Sequence, residues 1–159
     1  MPHHSNIKVD VLIVGGGIIG MLTARNLIKT GLKVAIIEKG KLGGEATWAA
    51  GGILSPLKPW QETTKAKSLI DEGKQNFAAL VEALKQETGI DSELIRSGML
   101  SLNVNEKQYA LEWAKQNNEP IEILTHHALS KLAPNMIKKF DEALYLPNIQ
   151  QVRPPRLIF

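Results

Sequence analysis

An α/β fold with a parallel sheet is the class this sequence predicts, and three observations predict it. Two short apolar runs rich in β-branched residues, 9–14 and 32–37, bracket a segment of helical periodicity. A glycine cluster stands at the first junction, and Gly31 at the second. Of the 159 residues, 43% are hydrophobic and 22% charged, a mixture that buries a core and argues against wholesale disorder, collagen and coiled coil. The length suits one domain, or one domain plus part of another.

Residues 1–6 are polar and aperiodic and read as a disordered tail, so His3 and His4 are expected to be exposed rather than a metal pair. Val9 to Val14 is apolar apart from Asp10 and reads as a strand buried on both faces. Leu22, Ala24, Leu27 and Ile28 place a helix over 21–30, with Gly31 as its C′ glycine. The second strand, 32–37, completes a strand–helix–strand unit over 8–38. Residues 40–59 are glycine-rich, poor helix and poor strand, yet too apolar for an idle surface loop.

Ala66, Leu69, Ile70, Gly73, Phe77, Leu80, Val81 and Leu84 form one stripe, so 62–87 is a long amphipathic helix closed by Gly89. Residues 100–104 alternate as a half-exposed strand does. Asn105 with Gln108 has the form of a capping box for a helix to 117. A short strand at 121–124, a short helix capped by Thr125 and stopping before Pro134, and a strand at 143–146 follow.

Composition removes several chemistries. The absence of cysteine excludes disulfides, thiolate zinc sites and cysteine nucleophiles. A net charge of +3 requires neither nucleic acid nor an anionic membrane as partner. The longest apolar runs, near 11–22 and 46–57, are interrupted by glycines and too short for a membrane span. The N-terminus lacks the order of a secretory signal, so a cytoplasmic location is expected.

One motif carries chemistry. Gly15-x-Gly17-x-x-Gly20 follows the first strand, opens the helix, and is continued by Ala24, Gly31 and Glu38 at the tip of the second strand. Gly15 allows a sharp turn, Gly17 lets a pyrophosphate approach the backbone, and Gly20 with Ala24 lets the helix lie close to the sheet. The helix N-terminus then faces the diphosphate. Glu38 is placed to accept from adenosine ribose hydroxyls and to repel a 2′-phosphate, which favours FAD or NAD over NADP. The alternative, a glycine-rich turn without a ligand, leaves the matched spacings unexplained. The predicted fold is thus a Rossmann-like FAD/NAD(P)-binding domain.

After Glu38 comes Lys39-Gly40-Lys41-Leu42-Gly43-Gly44-Glu45-Ala46-Thr47-Trp48-Ala49-Ala50-Gly51-Gly52-Ile53-Leu54-Ser55-Pro56. Its small residues let a flat ring and a diphosphate pack against backbone, although a tight interdomain turn is a second reading. The stretch resembles the flavin loop of the D-amino acid oxidase family, and most closely its glycine oxidase branch, of thiamine-biosynthesis type. Weaker likenesses follow at Ser97–Leu102, at Leu129–Pro134 (Ala133 where an acid is usual) and at Val152–Leu157.

The resemblance implies FAD as cofactor. It assigns Gly15, Gly17, Ile18, Ile19 and Gly20 to the diphosphate, and Glu38 and Lys39 to the adenosine ribose. Ala46 and Thr47 fall at the diphosphate and ribityl region, and Gly51, Gly52 and Ile53 on the isoalloxazine side. Trp48 departs from the small residue common in some members. The resemblance also implies an oxidase of a small amine or amino acid, with hydride passing to flavin N5, an imine product, and dioxygen leaving as peroxide. A flavin-dependent D-amino acid dehydrogenase with a quinone acceptor stays open, as does a non-catalytic nucleotide-binding module; a homo-oligomer is neither implied nor excluded.

Essentially all 159 residues share the resemblance, but they match only the first part of the family's length. On this reading the fold is truncated: a FAD-binding domain (N-terminal part) over 7–95, then a partial α+β substrate domain and the start of the return to the FAD domain over 96–159. The chain alone is expected to bind flavin poorly and not to turn over, because half a cleft cannot bury most of a ligand. No side chain is singled out as acid, base or nucleophile. His126 and His127, adjacent on a helix, do not face one another and read as surface positions. Arg96 and Arg153 read as solvated or interdomain arginines, and Trp60 and Trp113 as packing residues.

Overall fold

The computed structural model describes residues 7–62, 64–102, 104–135 and 140–158. The expected tail over 1–6 with His3 and His4, and residues Asn103 and Phe159, lie outside them. In chain order the elements are β1 (Val11–Val14), α1 (Ile18–Lys29), β2 (Val34–Ile37), α2 (Ala46–Ala49), α3 (Thr64–Thr88), β3 (Ile95–Arg96) and β4 (Met99–Ser101). There follow α4 (Lys107–Asn117), β5 (Glu122–Thr125), α5 (His126–Leu132), β6 (Glu142–Leu146), β7 (Gln150–Gln151) and α6 (Pro154–Leu157). They form two compact units, Met1–Gly51 with Pro154–Phe159, and Gly52–Arg153.

In the first unit β1 and β2 pair in parallel, Val11 opposite Val34 and Val14 opposite Ile37. Parallel neighbours need a crossover, and α1 is that crossover. The helix starts at Ile18, earlier than its apolar periodicity indicates, because Gly17 serves as the N-cap in extended backbone. The Gly17 carbonyl accepts the first helical bond, from the Met21 N–H at 3.0 Å. Gly31, at φ +86°, follows the helix end and donates its N–H to the Ile28 carbonyl.

The expectation that β1 is buried on both faces is corrected. Leu12 and Val14 are 53% and 83% exposed, while Val11 and Ile13 are half-buried. A parallel sheet buries both faces only when both are covered, and α1 covers one. Residues 40–59, read as neither helix nor strand, contain the single turn α2. It packs against α6. Gly43, at φ +66°, lies against Ile158 so closely that a Cβ there would overlap the Ile158 Cδ1.

The second unit has its own core. β4, β6 and β5 form an antiparallel sheet in that order, with Met99 opposite Leu146 and Glu122 opposite Tyr145. β3 pairs with β7, and Ile53 bridges to Gln151. These strands of two residues each are too short to show a periodicity, and the sequence did not mark them. Ala110, Leu129, Ala143 and Leu144 are fully enclosed.

α3 matches the expected long helix, and Gly89, at φ +76°, donates to the Lys85 carbonyl at 2.8 Å. Its stripe is only partly buried: Val81 is in the core, but Leu69 is 73% exposed. The capping box of Asn105 and Gln108 is replaced by a 3₁₀ turn, Val104–Glu106, with α4 starting at Lys107. The Glu106 carboxylate instead accepts from Lys58 Nζ at 2.9 Å, Trp60 Nε1 at 2.7 Å and Gln61 Nε2 at 2.9 Å. Thr125 precedes α5 as expected, in extended backbone, but its side chain makes no capping bond.

Candidate functional site

The chemistry-bearing turn begins where β1 ends. Gly15 has φ +105°, a conformation that favours glycine, and its N–H is donated to the Ile37 carbonyl at 2.8 Å. A Cβ on Gly20 would overlap the Gly15 carbonyl oxygen and lie 3.4 Å from Ile13 Cγ2, so only glycine permits this approach of α1 to β1.

Gly16 was a free position in the sequence motif, and the structure packs it closely against two side chains. It is buried, and a Cβ would overlap Leu42 Cδ2 and come within 3.1 Å of Glu38 Cβ. Its N–H is donated to Glu38 Oε2 at 2.7 Å, while the Gly40 N–H is donated to Glu38 Oε1 at 3.0 Å. These two bonds hold the Glu38 carboxyl below its ordinary value. A carboxylate has about four acceptor positions, so Glu38 retains capacity for hydroxyl donors. The only sequence signal for Gly16 was its place in a run of three glycines.

Thr47 closes the other side, its Oγ1 accepting from the Ile18 N–H at 3.0 Å. Together these groups border a cavity of about 560 Å³ lined by the expected Gly15, Gly17, Ile18, Ile19, Gly20, Ala46 and Thr47, with Ile13, Val14, Thr23 and Ala50. Glu38 is anchored beside it through Gly16. Lys39 pairs with Glu45 at 2.8 Å, both side chains largely exposed, and such a pair contributes little. Gly51 is exposed. Gly52 and Ile53 belong to the second unit, where the Gly52 carbonyl accepts from the Val152 N–H. Ile53 lines a different cavity of about 600 Å³, with Phe77 and Arg96 among its walls.

The first cavity fits a dinucleotide diphosphate. A Cβ on Gly15 would meet nothing within 4 Å, and one on Gly17 would meet only Thr47 Oγ1 at 3.4 Å, so a bulky anion can approach the backbone there. The first four N–H groups of a helix have no intrahelical partner. Thr47 engages that of Ile18, which leaves Gly17, Ile19 and Gly20 as donors at the positive end of the helix.

Comparison with known proteins places the chain in a family. A family model described as FAD dependent oxidoreductase matches residues 10–158. The chain belongs to that family. Glycine oxidase of Pseudomonas aeruginosa is 37% identical over 147 residues, covering 92% of this chain and 40% of that protein. Glycine oxidase of Pseudomonas putida is 34% identical over 149 residues, covering 94% and 41%. The crystal structure of glycine oxidase from Geobacillus kaustophilus matches with a TM-score of 0.82 at 31% identity, over 94% of this chain and 42% of that one. Thiamine thiazole synthase of Pyrococcus horikoshii is 32% identical over 108 residues.

The chain thus spans about 40% of the length of the glycine oxidases it matches. The α/β flavoprotein fold and the likeness to the glycine oxidase branch, both read from residues 8–56, hold, and the family's cofactor is FAD. Among the described residues no helix is long and apolar enough to cross a membrane.

Proposed function

We propose that the cavity at the β1–α1 turn holds the diphosphate of FAD, and that the intact protein oxidises a small amine or amino acid with dioxygen as acceptor. The observation that carries this reading is the convergence of Gly15, Gly17, Ile18, Ile19, Gly20, Ala46 and Thr47, drawn from two separate stretches, on one cavity. Bound there, FAD would supply a two-electron acceptor for the hydride of the substrate α-carbon; water would hydrolyse the imine, and dioxygen would take up the two electrons as hydrogen peroxide.

The chain's own residues bind and orient. The Gly17, Ile19 and Gly20 N–H groups meet phosphate oxygens, and Glu38 accepts from the ribose hydroxyls while keeping its bond to Gly16. The tripeptide Gly51-Gly52-Ile53, continuous in sequence with Ala50, is placed on the isoalloxazine side by the family resemblance alone. Lys39, exposed and paired with Glu45, stays an adenosine-side residue on the same ground. None of these side chains is assigned proton transfer.

The intact gene product should be yellow, release FAD rather than FMN or NAD on denaturation, and produce hydrogen peroxide with glycine in air. Turnover only with an added quinone would move the reading to a dehydrogenase. An absence of FAD from the purified protein, with no binding on titration, would overturn it.

A further inference from the structure

The second unit holds a cavity of about 600 Å³, and all its lining residues fall within Gly52–Arg153. Strand pairing builds part of it. Arg96 of β3 stands opposite Gln150 of β7, Ile53 bridges to Gln151, and the Leu54 N–H is donated to the Gln150 carbonyl at 2.9 Å. Its walls are chiefly apolar, from Leu54, Pro56, Ile70, Phe77 and Ile149, but their charges do not balance. The carboxylate in the lining, Glu119, faces Lys74 Nζ at 3.7 Å and accepts from Asn148 Nδ2 at 3.3 Å. The Arg96 side chain is exposed and has neither a hydrogen bond nor an ion pair among the described residues. One cation is thus left unneutralised against an apolar cavity.

Gly73 supplies a second observation. Glycine inside a helix is less favourable than alanine, and packing does not require it here: a Cβ on Gly73 would meet nothing from another element within 4 Å. What Gly73 borders is the cavity, and its bareness keeps that space free. We propose that this cavity binds a small monocarboxylate with an apolar body, Arg96 holding the carboxylate and the space beside Gly73 taking the hydrocarbon. The planar guanidinium fork matches a carboxylate through two parallel bonds, and the volume is that of a small-molecule site. The proposal does not rest on the FAD reading, since none of these residues lines the cavity at the β1–α1 turn.

Isothermal titration calorimetry on the intact gene product tests this with hexanoate, hexanamide and acetate. Hexanoate binds about tenfold tighter than hexanamide, the order of a hydrogen bond to a charged group. It also binds tighter than acetate, which carries the charge without the body. Arg96→Gln lowers hexanoate affinity to that of hexanamide and leaves hexanamide unchanged. Gly73→Leu, which fills the cavity and keeps its charges, loses both ligands. Thermal melts check that each variant is folded, and should Gly73→Leu not fold, Arg96→Gln decides alone. A parent protein that binds no hexanoate overturns the proposal, as does one that binds it no tighter than acetate or hexanamide. Hexanoate held equally by parent and variants lies at another site and overturns it too. Flavin content is read from the absorbance of the same samples, so a failure of the dinucleotide reading is seen separately.

Discussion

In the second unit Leu129 and Leu144 are wholly enclosed, whereas among the described residues of the first unit the buried hydrophobic side chain is Ala24. The contrast extends to what each unit is built from. The second has an antiparallel sheet whose β6 buries Ala143, Leu144 and Leu146, and a carboxylate, Glu106, that gathers Lys58, Trp60 and Gln61. The first brings a strand, a helix and a loop together through glycines and leaves Leu12, Val14, Ile19 and Ile37 exposed. A binding crevice needs open backbone, and open backbone is won by omitting the side chains that make a core. The candidate site thus lies where hydrophobic stabilisation is least.

The sharpest test of that contrast is Leu144→Ala. Emptying an enclosed site at the centre of the β4–β6–β5 sheet costs about 2–5 kcal/mol, read as a lower midpoint in urea denaturation followed by circular dichroism. A loss below that of the next variant would break the comparison. Gly20→Ala comes second, at about 1–3 kcal/mol for an overpacked contact, because the added methyl meets the Gly15 carbonyl. ADP and FAD titrations should show that it also abolishes dinucleotide binding, a loss Leu144→Ala does not produce by crowding the turn.

The smallest effect concerns pH. Bonds from Trp60 and Lys58 hold the Glu106 carboxyl below its ordinary value of 4.5. A carboxyl lowered on folding stabilises fully above its unfolded value and loses that contribution as pH falls through the folded one. Glu106→Gln should therefore be less stable than the parent at pH 7, the difference shrinking as pH drops below the carboxylate range. Thermal melts across pH check this, and a difference that grew on acidification would contradict it.

Much of the first unit was legible because its constraints are local. Gly15, Gly17, Gly20 and Glu38 sit at spacings set by a single strand–helix–strand path, and Gly31 closes its helix by adjacency. Less of the second unit was legible. β3 and β7 pair with each other, Leu69 keeps helical periodicity while 73% exposed, and α4 begins at Lys107 after a 3₁₀ turn rather than at Asn105.

The residues by themselves determined the parallel strand–helix–strand unit, its dinucleotide fingerprint and the family, since each depends on neighbours a few positions apart. Only tertiary structure decided that Gly16 lies against Glu38 and Leu42, and that the cap of α1 belongs to Thr47. It also decided that the strand expected to be buried on both faces is covered on one. Those outcomes depend on contacts between residues distant in the chain, and a pattern read along one dimension does not contain them.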